Sequence, residues 1–217
     1  MIAEVNGIEL YYEKIGVGRP LVMVHGNGED HSIFSEAAEV LKDSFCCYLL
    51  DSRCHGKSTK TKELHYEDMA ADVIAFMDEL GLEDAVFYGF SDGGIVGLMA
   101  AGKCSRISTL IVSGANISPQ GVKPFMRAFI KFLYFFTKDT KLELMLKEPH
   151  ISDEELSMIK ARTLVLAGSK DLVTESETRH IAGCIPGARL EILEGEGHGS
   201  YIMHKTKIAN LIREFAL

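Results

Sequence analysis

The 217-residue sequence has no apolar run approaching the roughly 18 residues that a membrane-spanning helix requires. Its first seven residues lack both the basic segment and the apolar core of a signal peptide. Lysine and arginine form no basic stripe and the net charge is −8, so the electrostatic attraction needed for nucleic-acid binding is missing. The five cysteines are odd in number and irregularly spaced, which favours free thiols in a reducing compartment. We therefore expect a cytoplasmic protein without nucleic-acid or membrane partners.

Composition and patterning indicate one α/β domain over residues 1–217. The chain is 47% hydrophobic and 25% charged, which at this length supports one substantial core. A hairpin is predicted from Ile2 to Ile15, with Asn6-Gly7 at its turn. Predicted strands and helices then alternate, the helices covering residues 33–41, 66–80, 94–103, 175–184 and 203–217. This alternation predicts a mostly parallel, twisted sheet of about eight strands with helices on both faces, and a site at the strands' carboxyl ends.

Residues 89–93, Gly-Phe-Ser-Asp-Gly, form the most informative motif. They follow an apolar run typical of a strand and open a run typical of a helix. A sharp turn between a strand and a helix lifts a serine hydroxyl above a sheet, and small residues on either side make that turn possible. The motif therefore predicts Ser91 as a nucleophile, which then needs a base and an acid.

Two later segments can supply these groups. A β-branched, buried strand starting at Thr163 ends in a polar loop that carries Asp171. A final predicted strand is followed by a glycine-rich loop that presents His198. Such a histidine can accept the serine proton while the aspartate orients the imidazole. Glu194 and Glu196, on the histidine's own loop, are alternatives to Asp171 as the acid.

With these motifs the chain resembles the α/β-hydrolase superfamily over essentially its full length. Further matches are His25-Gly26-Asn27-Gly28 after a predicted strand and residues 51–58, Asp-Ser-Arg-Cys-His-Gly-Lys-Ser. The resemblance implies an α/β-hydrolase fold and a triad of Ser91, Asp171 and His198. It also implies an oxyanion site formed by the backbone N–H groups of Asn27 and Asp92. Cys54 stands where the family usually has glycine, which affects only the local loop shape.

Residues 117–160 interrupt the alternation of strands and helices. In this superfamily an insertion here forms a cap over the active site, and this one is short. Its middle is aromatic-rich, so Phe125, Phe129 and Phe132 are predicted to line an apolar roof over the substrate. The alternative is that these rings only pack the cap onto the main domain.

Three polar residues are further candidates for substrate contact. Asp92 either stabilises the start of its helix, because a carboxylate there interacts well with the helix dipole, or attracts an amine of the substrate. The Ser-Asp-Gly-Gly run and Gly114-Ala115-Asn116 resemble the biphenyl-hydrolase-like branch, which includes hydrolases of amino-acid esters. Asn116 is included on this basis, and His25 is interpreted mainly as a residue that orients the oxyanion loop.

We expect a serine hydrolase that cleaves carboxylic esters or related activated acyl compounds of small, largely apolar substrates through an acyl-enzyme. The same framework supports thioesterases, lactonases, carbon–carbon bond hydrolases, aminopeptidases and perhydrolases. A non-catalytic ligand-binding or signalling module with this fold is the alternative of another class. Dehalogenation is disfavoured because Ser91 stands where that chemistry uses aspartate. No cofactor is expected, and no metal, since the histidines lack zinc-binding spacing.

Overall fold

The computed structural model describes residues 1–217 and is built around one eight-stranded sheet. In chain order the strands are β1 (Ile2–Val5), β2 (Ile8–Ile15), β3 (Arg19–Val24), β4 (Phe45–Leu50), β5 (Ala85–Phe90), β6 (Ile107–Ser113), β7 (Arg162–Lys170) and β8 (Arg189–Gly197). Their spatial order is β1-β2-β4-β3-β5-β6-β7-β8. The β1/β2 and β2/β4 pairs are antiparallel and all the others are parallel. The predicted eight-stranded, mostly parallel sheet is confirmed.

The first two strands form the predicted hairpin. Asn6 and Gly7 have φ values of 49° and 76°, as a two-residue turn with two left-handed residues requires. Val5 pairs directly with Ile8 across this turn. The hairpin therefore adds the antiparallel edge to an otherwise parallel sheet.

Eight α-helices flank the sheet. They are α1 (Ser35–Leu41), α2 (Tyr66–Glu79), α3 (Asp92–Lys103), α4 (Pro124–Thr137), α5 (Thr140–Lys147), α6 (Asp153–Ser157), α7 (Glu175–Cys184) and α8 (Lys207–Ala216). The prediction of a helix from Met203 was wrong at its start, because His204 has a φ of 52° and this left-handed conformation interrupts a helix. None of the helices combines the length and apolar character needed to cross a bilayer.

The core lies on both faces of the sheet. Along β3, Val22 and Val24 face one apolar cluster while Leu21 and Met23 face the other. All four side chains are fully buried, because successive residues of a strand point to opposite faces and both faces are covered. The first cluster includes residues of α2 and α3, and the second includes residues of α1 and α8.

The segment predicted as a cap contains α4, α5 and α6. Helices α4 and α5 pack against each other, whereas α6 packs against α3 and α7. The residues of this segment that reach the main cavity all lie between Val122 and Glu148. Only α4, α5 and the chain leading into them therefore cover the carboxyl end of the sheet.

Candidate active site

Ser91 occupies a strained turn between β5 and α3. Its φ of 53° and ψ of −114° lie outside the conformations that a non-glycine residue readily adopts. The turn leaves no room for a side chain two residues before or two residues after Ser91. A Cβ at Gly89 would lie 2.1 Å from the carbonyl oxygen of Gly93, and a Cβ at Gly93 would lie 2.0 Å from that of Val24. Both glycines are therefore needed to hold Ser91 above the sheet.

The structure brings His198 and Asp171 to this serine. Asp171 follows β7 and His198 follows β8, so both stand at carboxyl ends of parallel strands. His198 Nε2 lies 3.0 Å from Ser91 Oγ, and His198 Nδ1 lies 2.6 Å from Asp171 Oδ1. Gly114, with a φ of 63°, makes room for the imidazole, since a Cβ there would lie 2.8 Å from His198 Cε1. The three side chains form a continuous hydrogen-bonded chain.

Asp171 is buried and held in its ionised form. Its carboxylate accepts the N–H of Val173 at 2.9 Å and, more weakly, that of Gly168 at 3.4 Å. Burial opposes the charge, but the hydrogen bond and charge of His198, with these two N–H groups, outweigh burial and lower the pKa of Asp171. An ionised Asp171 favours the tautomer of His198 that carries its proton on Nδ1, leaving Nε2 free to accept from Ser91.

The alternative acids have other partners. Glu196 accepts hydrogen bonds from Ser200 and Lys207, and Glu194 accepts one from Ser169 at 3.3 Å. It is Asp171 whose carboxylate lies within hydrogen-bonding distance of His198 Nδ1.

Two backbone N–H groups near Ser91 are available to an oxyanion. Asn27 belongs to the loop after β3, and its N–H is not used in any hydrogen bond within the protein. Asp92 is the first residue of α3, so its N–H has no acceptor within the helix. The loop lies directly against Ser91, because a Cβ at Gly26 would be 3.1 Å from Ser91 Cβ.

Glu29 is a residue of the site that the sequence analysis missed. Its carboxylate accepts the N–H of Gly26 at 2.9 Å and lines the same cavity as Ser91. Burial raises the pKa of Glu29, against the opposing effect of the Gly26 N–H. By occupying the Gly26 N–H, Glu29 fixes the loop so that the next N–H, that of Asn27, remains free. No spacing rule in the sequence marks a glutamate in this role.

Asp92 is buried and bonds across the site. Its two carboxylate oxygens accept from Tyr66 Oη and Asn27 Nδ2, each at 2.8 Å. Burial raises the pKa of Asp92, and the hydrogen bonds from Asn27 and Tyr66 partly counter this. Asn27 Nδ2 also donates to the carbonyl of Lys141 in α5 at 3.2 Å. Asp92 therefore ties the loop after β3 to α2 and α3, and Asn27 continues the connection to the cap.

His25 lies behind the site and does not line the cavity, so the structure contradicts its assignment as a substrate contact. Its Nδ1 lies 2.7 Å from the carbonyl oxygen of Gly26, and its Nε2 accepts the N–H of Ser52 at 3.1 Å. Burial lowers the pKa of His25 to about 4, although the Gly26 hydrogen bond opposes this. A neutral His25 therefore joins the loop after β3 to the loop after β4.

The cavity over Ser91 has a volume of about 280 Å³ and 11 of its 19 lining residues are hydrophobic. Asn116 lines it, with its side-chain N–H donated to Ser118. Phe129 also lines it, but the assignment of Phe125 and Phe132 was wrong, because both point outward and are 63% and 59% exposed. The cap residues that do line it are Val122, Met126, Phe129, Ile130, Leu133, Leu142, Met145 and Glu148.

Charged groups in the cavity are almost all acidic. Glu29, Asp92 and Glu148 line it, together with His198, and no lysine or arginine does. Glu148 is itself engaged, accepting from His65 and from the N–H of Tyr66. The site therefore suits a substrate that is neutral or positively charged near these carboxylates.

Two clusters away from the cavity have donor atoms close enough to share a metal ion. They are Asp30, His31 and Asp51, and Asp153, His180 and Cys184. In the first, His31 is already hydrogen-bonded to Asp51 at 2.7 Å and faces Glu13 at 3.2 Å. Neither cluster adjoins Ser91, so neither bears on the chemistry of the cavity.

Comparison with known proteins agrees with this fold. A family model for the alpha/beta hydrolase fold matches residues 19–145. A Bacillus subtilis protein described as AB hydrolase superfamily protein YisY is 28% identical, covering 96% of each chain. The mouse serine hydrolase BPHL is 24% identical, covering 97% of this chain and 84% of its own. An esterase from Exiguobacterium antarcticum superposes with a TM-score of 0.86 at 23% identity, covering 99% of this chain and 97% of its own.

The chain belongs to the α/β-hydrolase fold family, as its motifs indicated, and is a hydrolase of that type.

Proposed function

We propose that this protein is a serine hydrolase that cleaves carboxylic esters of small, largely apolar acids through an acyl-enzyme. The observation that carries the proposal is the unbroken chain from Ser91 Oγ to His198 at 3.0 Å and from His198 to Asp171 at 2.6 Å. Nucleophile, base and orienting acid within hydrogen-bond reach are what activation of a serine requires.

In the first half-reaction, Ser91 Oγ attacks the ester carbonyl while His198 Nε2 accepts its proton. The carbonyl oxygen becomes an oxyanion that the N–H groups of Asn27 and Asp92 stabilise, and each such donor lowers the barrier by about 3 kcal/mol. The intermediate collapses as the imidazolium of His198 donates its proton to the leaving alcohol. Asp171 keeps its negative charge and stabilises the imidazolium throughout.

In the second half-reaction, a water molecule takes the place of the alcohol. His198 removes a proton from this water, which attacks the acyl-serine and forms a second oxyanion. Collapse then releases the carboxylic acid and restores the Ser91 hydroxyl. No cofactor is needed for any of these steps, because every proton moves between Ser91, His198, water and the substrate.

The cavity supports the substrate class. Its apolar wall and its volume of about 280 Å³ fit a short or medium acyl chain. Thioesters, lactones, activated carbon–carbon bonds and amino-terminal amides could undergo the same acyl transfer. Among narrower classes, esters with an α-amino group have specific support, since the carboxyl groups of Glu29, Asp92 and Glu148 line the cavity without a neighbouring lysine or arginine.

The test is labelling with a fluorophosphonate probe combined with hydrolysis of short p-nitrophenyl esters. Wild type should react with the probe and turn over the esters, and Ser91→Ala should do neither while unfolding like wild type. Ser157→Ala, at an exposed serine of α6, is the matched control and should behave as wild type. Full ester turnover by Ser91→Ala would refute the nucleophile. A folded wild type that is inert to both reagents would favour a ligand-binding module.

A further inference from the structure

Helix α4 exposes an unusual aromatic surface. Phe125, Phe129, Phe132 and Phe136 recur at the spacing of one helix face, and Phe135 adjoins them. Their exposed fractions are 63%, 52%, 59%, 68% and 68% respectively. The rings of Phe132 and Phe136 contact each other, as do those of Phe135 and Phe136. We call these five residues the phenylalanine face.

The phenylalanine face is large for a surface in contact with water. With about 200 Å² for each side chain, the five rings expose roughly 600 Å² of apolar area. The largest apolar patches of soluble monomers reach about 300–600 Å² and are often functional. The adjacent side of α4, about 100° around the helix, is already used, because Met126, Ile130 and Leu133 line the cavity. The face therefore has no partner within the chain.

Positive charge accompanies this face. No aspartate or glutamate occurs between Asp92 and Asp139, although the whole chain carries a net charge of −8. Arg127 and Lys131 lie four residues apart along one flank of α4. Lys138 follows the helix in a left-handed conformation, and its Nζ lies 5.3 Å from the centre of the Phe135 ring. The molecule thus combines a basic, aromatic helix with an acidic remainder.

We propose that the phenylalanine face docks on a lipid surface that carries anionic headgroups. A helix with phenylalanines on one face and lysine or arginine beside them has the composition of an interfacial helix. The rings would enter the boundary between headgroups and acyl chains, and the basic flank would meet the headgroup charge. The absence of a membrane-spanning segment does not oppose this mode, because only one side of α4 is immersed.

A second copy of the chain fits the face less well. Pairing of two α4 helices would bring their basic flanks together with no acidic side chain on either helix to offset them. The apolar area of roughly 600 Å² also falls short of the ~800 Å² per partner of a standard stable interface. Charge and area therefore both favour the lipid surface.

Docking would place the cavity at the lipid boundary. Phe129 belongs to the phenylalanine face and also lines the cavity that contains Ser91. If the ester hydrolysis proposed above is correct, an apolar ester dissolved in lipid could pass from the acyl-chain region to the serine along this ring. The docking itself requires no turnover, and Ser91→Ala should bind lipid like wild type.

The test is flotation of the purified protein with vesicles of phosphatidylcholine, with or without phosphatidylglycerol. Wild type should float with the anionic vesicles, should bind the neutral ones weakly, and should be released by salt. The double variant Phe135→Gln/Phe136→Gln should bind at least roughly tenfold less, because two apolar rings are lost. Each of Lys131→Gln and Lys138→Gln should weaken binding about fivefold.

Two control variants make the same chemical changes elsewhere. Met158→Gln alters an exposed apolar side chain, and Lys103→Gln alters an exposed lysine of α3; both should float like wild type. The proposal would be overturned if the control variants lost as much vesicle binding as the variants of α4 and Lys138, or if wild type did not float. It would also be overturned if light scattering found a dimer of wild type that Phe135→Gln/Phe136→Gln converts to a monomer. Hydrolysis of water-soluble esters by the double variant should equal that of wild type, since neither ring lines the cavity.

Discussion

Replacing Gly114 with alanine should damage activity far more than stability. Its φ of 63° is strained for alanine, which costs roughly 1–2 kcal/mol of folding free energy. The added Cβ would lie 2.8 Å from Cε1 and 2.9 Å from Nδ1 of His198. To restore ordinary van der Waals contact the imidazole must shift by about 0.6 Å.

That shift falls on the hydrogen bonds that the mechanism needs. The distance of 3.0 Å between His198 Nε2 and Ser91 Oγ would lengthen to about 3.6 Å, beyond hydrogen-bond range. Since a misplacement of about 1 Å can cost roughly 100-fold in rate, we expect kcat/KM for p-nitrophenyl esters to fall by roughly 10- to 100-fold.

Gly7→Ala is the matched control for this variant. Gly7 has a φ of 76° and nothing within 4 Å of an added Cβ, and it lies in the hairpin turn. It should therefore show a similar loss of stability in urea unfolding with unchanged kcat/KM. The reasoning fails if Gly114→Ala retains full activity, or if Gly7→Ala loses as much activity as Gly114→Ala.

Three further predictions concern the loop, the carboxylate and the cap. The pKa of about 4 for His25 lies below its unfolded value of 6.5, so the stability due to a neutral His25 is complete above pH 6.5 and about 3 kcal/mol of it is lost as pH falls towards 4. In urea unfolding, the free energy of unfolding of His25→Gln should therefore depend less steeply on pH between 6.5 and 4 than that of wild type. An unchanged pH dependence would refute this. Asp92→Asn should destabilise the protein by about 1–3 kcal/mol, because an asparagine keeps one acceptor oxygen where the carboxylate offers two to Tyr66 and Asn27; if the carboxylate binds an amine of the substrate, the ratio of kcat/KM for α-amino over desamino esters should also fall, and an unchanged ratio would rule that role out. In wild type, kcat/KM should rise by up to about fourfold for each methylene added to the acyl chain. Leu133→Ala should remove this gain, whereas Phe132→Ala should leave it intact. The opposite pattern would show that the outer rings contact substrate.

The fold and the proximity of Ser91, His198 and Asp171 could be predicted from sequence because each depends on local chemistry. Asn6-Gly7 can adopt two left-handed conformations in succession, which identifies the hairpin. The turn between β5 and α3 requires glycines around Ser91 for steric reasons. An aspartate at the end of a strand and a histidine on a later loop complete a set of residues whose order along the chain is typical of one fold. In each case the residue type itself carries the structural requirement.

The side of α4 that faces the cavity could not be predicted in the same way. Phe125, Phe129 and Phe132 have the same four-and-three spacing as Met126, Ile130 and Leu133, so periodicity predicted a helix without showing which apolar side faces the cavity. Because phenylalanine has a large apolar side chain, hydrophobicity alone favoured the phenylalanine side of α4 as the one that faces the cavity. The structure places the second set inside, and of the first set it brings Phe129 to the cavity. The orientation of α4 depends on its contacts with α5, which no local pattern encodes.

The polar residues around Ser91 are a second feature that local sequence patterns could not predict. Glu29, Asp92 and Asn27 act through one another: Glu29 occupies the Gly26 N–H, Asp92 holds the Asn27 side chain, and Asn27 reaches the carbonyl of Lys141 in the cap. A shift of α5 would therefore be transmitted through Asn27 to the backbone N–H proposed to stabilise the oxyanion. The cap and the proposed oxyanion site are connected through the side chain of Asn27. Binding at the cap therefore has a physical route to the carbonyl that we propose reacts with Ser91.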